Sequence, residues 1–190
     1  MKAKSRFLGI DDGPFRFGDT RVALVGVAVQ APSYIEGVLT DWATVDGADG
    51  TERILGLVKR SRYREGLRMV FLNGVAVGGF NVVDLNRLYA DLRVPIVTVT
   101  RRAPNLDAIR AALRRRFPDW EARWAQITSH PIVEVGTGPT PVRVSYAGTS
   151  RDEVVEALSL TTIRGAIPEP LRIAHLIAAA MAKGESHGRA

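Results

Sequence analysis

Ten residues, Arg21 to Gln30 (RVALVGVAVQ), are almost entirely Val, Leu and Ala, with no polar residue at alternate positions. A strand that faces water on one side alternates apolar and polar side chains, so this run is predicted to be a central strand covered on both faces. At 190 residues and 46% hydrophobic content, the chain has the apolar material for one domain, spanning 1–190, with a sizeable core.

Ahead of that strand, Phe7-Leu8-Gly9-Ile10-Asp11-Asp12-Gly13-Pro14 carries a short apolar run directly into two carboxylates and a turn. Side chains alternate along a strand, so Asp11 and Asp12 are expected on opposite faces, and only one of them looks into a site above the sheet. Gly13-Pro14 then stops the ladder, because proline has no N–H to donate. Two readings stand side by side: a simple turn, or a carboxylate held at a rigid strand end as the anchor for a hard divalent cation.

Behind it, Ala31-Pro32-Ser33 turns the chain and Tyr34 to Val45 reads as a third strand, the short connections predicting an antiparallel meander. Thr51 to Tyr63 places Ile54, Leu55 and Val58 on one helical face, with Asp49 and Glu52 at the spacing of a capping pair. Arg68 to Leu72 is a short apolar strand ending at Asn73-Gly74. Asn81 is placed to cap a helix striped by Val82, Leu85, Leu88, Tyr89 and Leu92, and Pro95 to Val99 is another buried strand. Strand and helix alternate from residue 50 onward, which implies right-handed crossovers and parallel strands. Three antiparallel strands joined to two parallel βα units make a mixed α/β sheet.

Asn105 to Phe117 is expected to be a helix burying Ile109, Leu113 and Phe117, with Arg110, Arg114, Arg115 and Arg116 on a solvated face or against phosphate. Trp120 and Trp124, one turn apart, are expected to fix the next segment to the body by core packing, with stacking on bases as the other reading. Pro131 to Pro141 is rich in Gly, Pro and Thr and reads as an exposed excursion between short strands Ile132 to Val135 and Val142 to Tyr146. Ser150 with Glu153 makes a capping box. Pro168-Glu169-Pro170 announces a last helix to about Lys183, stopped by Gly184, before a loose tail from Glu185 to Ala190.

There is no cysteine, which excludes disulfides and thiolate metal sites and leaves oxygen or imidazole as the donors for any metal. Met1-Lys2-Ala3-Lys4-Ser5-Arg6 leads into only four or five apolar residues, too few for a signal peptide, and no run approaches the length of a membrane span, so the expected location is cytoplasmic. A formal charge of +6 tilts the choice of partner toward a polyanion.

Several separated stretches together resemble a known family. Gly9-Ile10-Asp11-Asp12-Gly13-Pro14-Phe15, Ser33-Tyr34-Ile35-Glu36-Gly37-Val38-Leu39, Gly79-Phe80-Asn81-Val82-Val83-Asp84 and Arg164-Gly165-Ala166-Ile167-Pro168-Glu169-Pro170-Leu171-Arg172-Ile173-Ala174-His175 look like the archaeal endonuclease dU family. That family is in turn similar to endonuclease V, a metal-dependent nuclease that nicks nucleic acid near deaminated bases. The resemblance implies a ribonuclease H-like mixed five-stranded sheet, three antiparallel strands then parallel βα units, flanked by helices. It also implies an endonuclease acting in DNA repair at deoxyuridine or deoxyinosine, with Mg²⁺ or Mn²⁺ as cofactor and DNA, or RNA, as partner.

Carried over position by position, the first-strand aspartate of endonuclease V falls on Asp11. Its Pro-Tyr-Ile-Pro-Gly wedge resembles Ser33-Tyr34-Ile35-Glu36-Gly37, which keeps the aromatic at Tyr34 and puts Glu36 in place of the second proline. A glutamate near a helix start falls on Glu52, with Asp49 as a competing position. A strand-ending Val-Asp-Gly becomes Leu72-Asn73-Gly74, a lysine becomes Arg101, and the closing Leu-Pro-Glu-Pro-Thr-Arg motif matches Ile167 to Arg172, with His175 in the following ligand place. The resemblance thus implies Asp11, Glu52, Asn73 and His175 as catalytic residues and Asp11, Asp49, Glu52 and Asn73 as metal ligands. Tyr34, Arg101, Arg164 and Arg172 become the nucleic-acid contacts, with a salt bridge to Glu169 as the other reading of Arg164 and Arg172.

Asn73 is the departure from the pattern. Two-metal phosphodiester cleavage uses several carboxylates to offset the repulsion of paired cations, and an asparagine oxygen coordinates without contributing charge. Asn73-Gly74 also reads as a plain turn at a strand end. A second function therefore stands beside the nuclease: a catalytically weak or inactive nucleic-acid-binding protein of the same fold.

Overall fold

A computed structural model describes residues 4–16, 18–136 and 140–187. The centre of the Gly/Pro/Thr-rich excursion, 137–139, and the last three residues of the tail lie outside the described residues. In chain order the elements are β1 (Arg6–Asp12), β2 (Arg21–Gln30), β3 (Tyr34–Thr44), α1 (Gly50–Lys59), β4 (Leu67–Leu72), β5 (Ala76–Val77), β6 (Asn81–Val82) and α2 (Leu85–Leu92). They continue with β7 (Ile96–Thr100), α3 (Leu106–Arg116), α4 (Trp120–Ile127), β8 (Val133–Val135), β9 (Val142–Ala147), α5 (Arg151–Thr161) and α6 (Glu169–Lys183). No helix among the described residues is long and apolar enough to cross a membrane.

The main sheet runs β3-β2-β1-β4-β7-β9-β8. Its first three strands form the antiparallel meander, and β4 and β7 then continue it in parallel. Two further strands extend the expected five, because β9 pairs antiparallel with β7 and β8 pairs with β9. The reason lies in β7 itself: Ile96, Val97 and Val99 are fully buried, so both faces are covered and its free edge is closed by β9 rather than left to water.

The absence of polar alternation in β2 is explained by helices on both sides. Val22 and Leu24 join a core with Ile54, Leu57 and Leu88 of α1 and α2, whereas Val25, Val27 and Val29 pack on Ala174 and Ala178 of α6. In β1, Leu8 and Ile10 face α1 and α2, while Phe7 faces the core that α5 and the start of α6 cover. Ser150 caps α5 in the expected box with Glu153, and Gly184, at φ 83°, closes α6 in the left-handed conformation.

Two expected caps take other roles. Asp84, not Asn81, caps α2, accepting from Arg87 N. Asn81 sits fully buried in β6, where its Oδ1 accepts from Gly50 N at 2.7 Å and its Nδ2 donates to Thr44 O at 2.8 Å, so it caps α1 from a distance. Asp49 lies at the cap position of α1 without a capping bond, its carboxylate being occupied by Thr44, Arg53 and Asn81. The hairpin of α3 and α4 is lightly embedded, with Leu113 as its fully buried side chain. Trp120 and Trp124 stack on Arg114 and Arg110 of α3 rather than entering the core.

Candidate active site

The site is made by alternation along one strand. Gly9, Asp11 and Gly13 share the face of β1 beneath α6. A Cβ on Gly9 would stand 2.2 Å from the backbone carbon of Pro170, and one on Gly13 would stand 3.0 Å from Ala178 O. The two glycines thus let the helix backbone lie directly on the strand. Between them His175, one turn beyond Leu171 and one turn before Ala178, comes down over Asp11, with its Nδ1 2.8 Å from Asp11 Oδ2.

Asp11 is 2% exposed, yet each of its oxygens has a partner. Oδ1 accepts from its neighbour's amide, Asp12 N, at 2.9 Å and from Asn73 Nδ2 at 3.0 Å. Asn73 is there because β4 runs parallel to β1 with Leu72 beside Ile10, so the residue after β4 emerges next to Asp11. Thr100, Arg101 and Arg102, at the end of β7, line the same cleft with Ile167 and Leu171. Three parallel strand ends therefore open into one crevice at their carboxyl ends, the usual place for a site in an α/β sheet.

The electrostatics follow. The hydrogen bond to Asp11 raises the His175 pKa above its ordinary value, against the opposing effects of burial and the nearby charge of Arg101. Asp11 thus holds Nδ1 and leaves Nε2 as the ring nitrogen that can take or give a proton. Asp12 points to the other face, as strand alternation requires, and its Oδ2 accepts from Gly78 N at 3.0 Å. Burial, reinforced by the charge of Asp11, pushes its carboxyl up to about 6.

Asp11, Asn73, His175 and Arg101 come together in this cleft; the other expected residues lie elsewhere. Glu52 forms an ion pair with Arg87 of α2 and lines a separate cleft with Thr51, Asp84 and Arg123. Burial alone would raise the Asp49 carboxyl, but its bonds to Arg53, Asn81 and Thr44 outweigh that and hold it at about 2. Tyr34 pairs with Gln30, which pairs with Arg6, so Tyr34 is level with the start of β1. Five residues of strand, about 17 Å, separate that level from Asp11. Arg172 makes a two-pronged bond to Glu169, at 2.8 and 2.7 Å, and Arg164 is exposed in the loop before α6. Thr100, Arg102 and the spacer role of Gly9 were not among the expected features; a glycine two residues before the aspartate was the one signal in the chain for the last.

Among the described residues, no group of three or more His, Asp or Glu side chains is placed to hold a metal ion. One carboxylate with an amide and an imidazole does not fit a paired-ion centre. A single ion is a lesser demand, because a half-turn of the Asn73 amide would set its oxygen beside Asp11 Oδ1.

A mixed sheet of three antiparallel strands continued in parallel by β4 and β7, with helices on both faces, is the ribonuclease H-like fold that the resemblance implied. Over residues 3–182 the sequence matches the family model described as endonuclease dU, and the chain belongs to that family. A relative from Methanothermobacter thermautotrophicus, named UPF0215 protein, is 40% identical over 100% of this chain and 94% of its own. A crystal structure of a protein of unknown function from Archaeoglobus fulgidus has a TM-score of 0.84 at 34% identity, covering 94% of this chain and 98% of that one. Endonuclease V from Ciona intestinalis, solved with DNA containing an inosine, shares the fold with a TM-score of 0.59 at 13% identity, over 90% of this chain and 82% of that one.

Proposed function

We propose that this chain is an endonuclease that binds DNA across the Asp11–Asn73–His175 cleft and cuts it at or near a deaminated base, deoxyuridine or deoxyinosine, as a step of DNA repair. The observation that carries this reading is the Asp11–His175 pair, a buried carboxylate orienting an imidazole at a strand end, with Arg101 beside it. Family membership and the shared fold with endonuclease V support it. Arg101 and Arg102 hold and orient a phosphate at the lip of the cleft. Asp11 fixes His175 in one orientation, and His175 Nε2 takes a proton from the attacking water or returns one to the leaving oxygen. Asn73 keeps Asp11 in place through its amide. Mg²⁺ or Mn²⁺ would be held by Asp11 and Asn73, and such an ion activates water and neutralises charge on phosphate when bound.

The second reading, a nucleic-acid-binding protein that cleaves weakly or not at all, is favoured by one set of contacts. Glu52 and Asp49 are held in ion pairs away from Asp11, and Asn73 brings no charge. Incubating the protein with labelled duplexes carrying deoxyuridine, deoxyinosine or no lesion, in Mg²⁺, Mn²⁺ or EDTA, separates the two. Nicks confined to the lesion strand support the nuclease; binding without nicks under all three conditions supports the alternative.

A further inference from the structure

Core packing does not account for the α3–α4 hairpin, since Leu113 is the buried side chain of α3 and α4 has none. Two of its five arginines hold it to the body. Arg116 donates to Asp46 Oδ2 at 2.6 Å, and Arg123 donates to Asp119 at 3.0 Å and to the carbonyl oxygens of Asp46, Gly47 and Phe80. The other three, Arg110, Arg114 and Arg115, are exposed, and among the described residues none of them forms an ion pair. Arg110 lies over the Trp124 ring, 5.6 Å from its centroid, and Arg114 lies over Trp120 at 5.2 Å. The helix dipole favours cations in the last turn, which accounts for Arg114 and Arg115. Arg110 stands in mid-helix, one turn from Arg114, where like charges repel. Each ring attracts a guanidinium and limits its motion without supplying an oxygen, so the N–H fork is kept for a ligand that does.

This face continues from the Asp11 cleft. Arg101 and Arg102 line the cleft at the end of β7, and α3 begins at Leu106. Residues 101–127 carry seven arginines against three carboxylates, Asp107, Asp119 and Glu121, so most of the formal charge of +6 gathers here. Resting on the nuclease reading, the geometry points to the hairpin as a clamp on the sugar–phosphate backbone. Arg110, Arg114 and Arg115 take phosphates of the DNA strand that leaves the cleft past Arg102, and Trp120 and Trp124 hold the first two guanidiniums ready. The reach is short. Four residues of chain from Arg102 to Leu106 span at most about 14 Å, and Arg114 lies about 12 Å further along the helix. A strand advancing about 3.4 Å per nucleotide covers that path in about eight steps. An acidic protein would also satisfy the charge, but the row of arginines starts at the cleft, where the strand to be cut lies.

The test is equilibrium binding of a labelled duplex with one central deoxyuridine, in EDTA, across a series of salt concentrations. The parent is compared with the triple variant Arg110→Gln, Arg114→Gln, Arg115→Gln and with a control triple, Arg64→Gln, Arg93→Gln, Arg151→Gln. The control removes the same charge from exposed positions near Leu67, Ile96 and Ala147, at the opposite end of the sheet from Asp11. The hairpin triple should flatten the log–log slope by about three, close to one for each phosphate released, and the control should keep the parent's slope. Trp120→Leu with Trp124→Leu leaves every charge in place and should keep the slope while weakening binding about fivefold at fixed salt, through lost ordering of two side chains. Circular dichroism and melting check folding, and the exposed arginines decide the clamp if the tryptophan pair does not fold. The parent's slope in the hairpin triple, or an equal fall in the control, overturns the clamp; parental affinity in the folded tryptophan pair overturns the ordering role. Unchanged DNA binding with lost binding of polyglutamate assigns the face to an acidic protein and overturns the clamp as well. Nicking by the parent in Mg²⁺ is scored separately: nicks without a slope change leave the nuclease without the clamp, and a slope change without nicks leaves the clamp on a binding protein.

Discussion

The substitution Gly9→Ala adds one methyl group where α6 lies on β1. Its Cβ would meet Pro170 C at 2.2 Å, Leu171 N at 2.3 Å and Pro170 O at 2.4 Å, all backbone atoms, whereas ordinary contact begins at 3.4 Å. No rotamer relieves a clash between two backbones, so the helix must withdraw by about 1 Å, the shortfall between those distances. Overpacking of this kind costs about 3 kcal/mol, the upper end of its usual range. For a chain of this size that corresponds to a fall in melting temperature of about 6–12 °C. The same withdrawal lengthens the 2.8 Å contact between His175 and Asp11 beyond hydrogen-bond reach, so the raised His175 pKa should relax toward its ordinary value. Denaturant unfolding measures the first effect and the histidine ring resonances, followed against pH, measure the second. A variant as stable as the parent, with an unmoved His175 titration, would refute the view that Gly9 sets the height of α6 over the site.

Asn73→Asp places a second carboxylate 3.0 Å from Asp11 Oδ1, so melting temperature should fall without divalent ions and recover with Mg²⁺ more than the parent's does; superimposable metal curves would remove Asn73 from the site. Asp11→Asn should abolish cleavage in either background, and surviving activity defeats the mechanism. Asp12 has a folded pKa of about 6 against 3.8 ordinarily, so its contribution to stability is present below 3.8 and is lost as pH rises toward 6. Asp12→Asn should flatten the stability profile across that window, as chemical denaturation at each pH will register. Binding to undamaged duplex should weaken steeply with salt, and Arg101→Gln should lower the log–log slope by about one, the value of one phosphate contact; an unchanged slope moves Arg101 off the DNA.

Local patterns in the chain predicted what depends on near neighbours. The unbroken apolar run of β2, the Ser150–Glu153 box and the opposite pointing of Asp11 and Asp12 each follow from residues within a turn or a strand of one another. What the patterns did not disclose depends on partners far along the chain. Asn81 looks like a local cap, yet its partners Gly50 and Thr44 are more than 30 residues away. Glu52 has the spacing of a capping residue, but an arginine 35 residues later takes its carboxylate. Tyr34 sits in a suggestive pentapeptide, and only the pairing of β3 with β2 reveals that it lies at the other end of the strands. Asp11, Asn73 and His175 were linked by resemblance rather than by spacing, since 62 and 164 positions separate the last two from the first.

That longest separation governs when the protein becomes competent. Closing a loop of 164 positions is entropically slow, so α6 should dock late, onto a sheet already formed by contacts of shorter range. Until it does, β2 exposes Val25, Val27 and Val29, and the Asp11 carboxylate lies beside that apolar surface without its imidazole. A nascent chain therefore keeps that apolar surface open for as long as its final helix remains within the ribosome, and the Asp11–His175 pair forms only once synthesis has run through residue 175 and beyond.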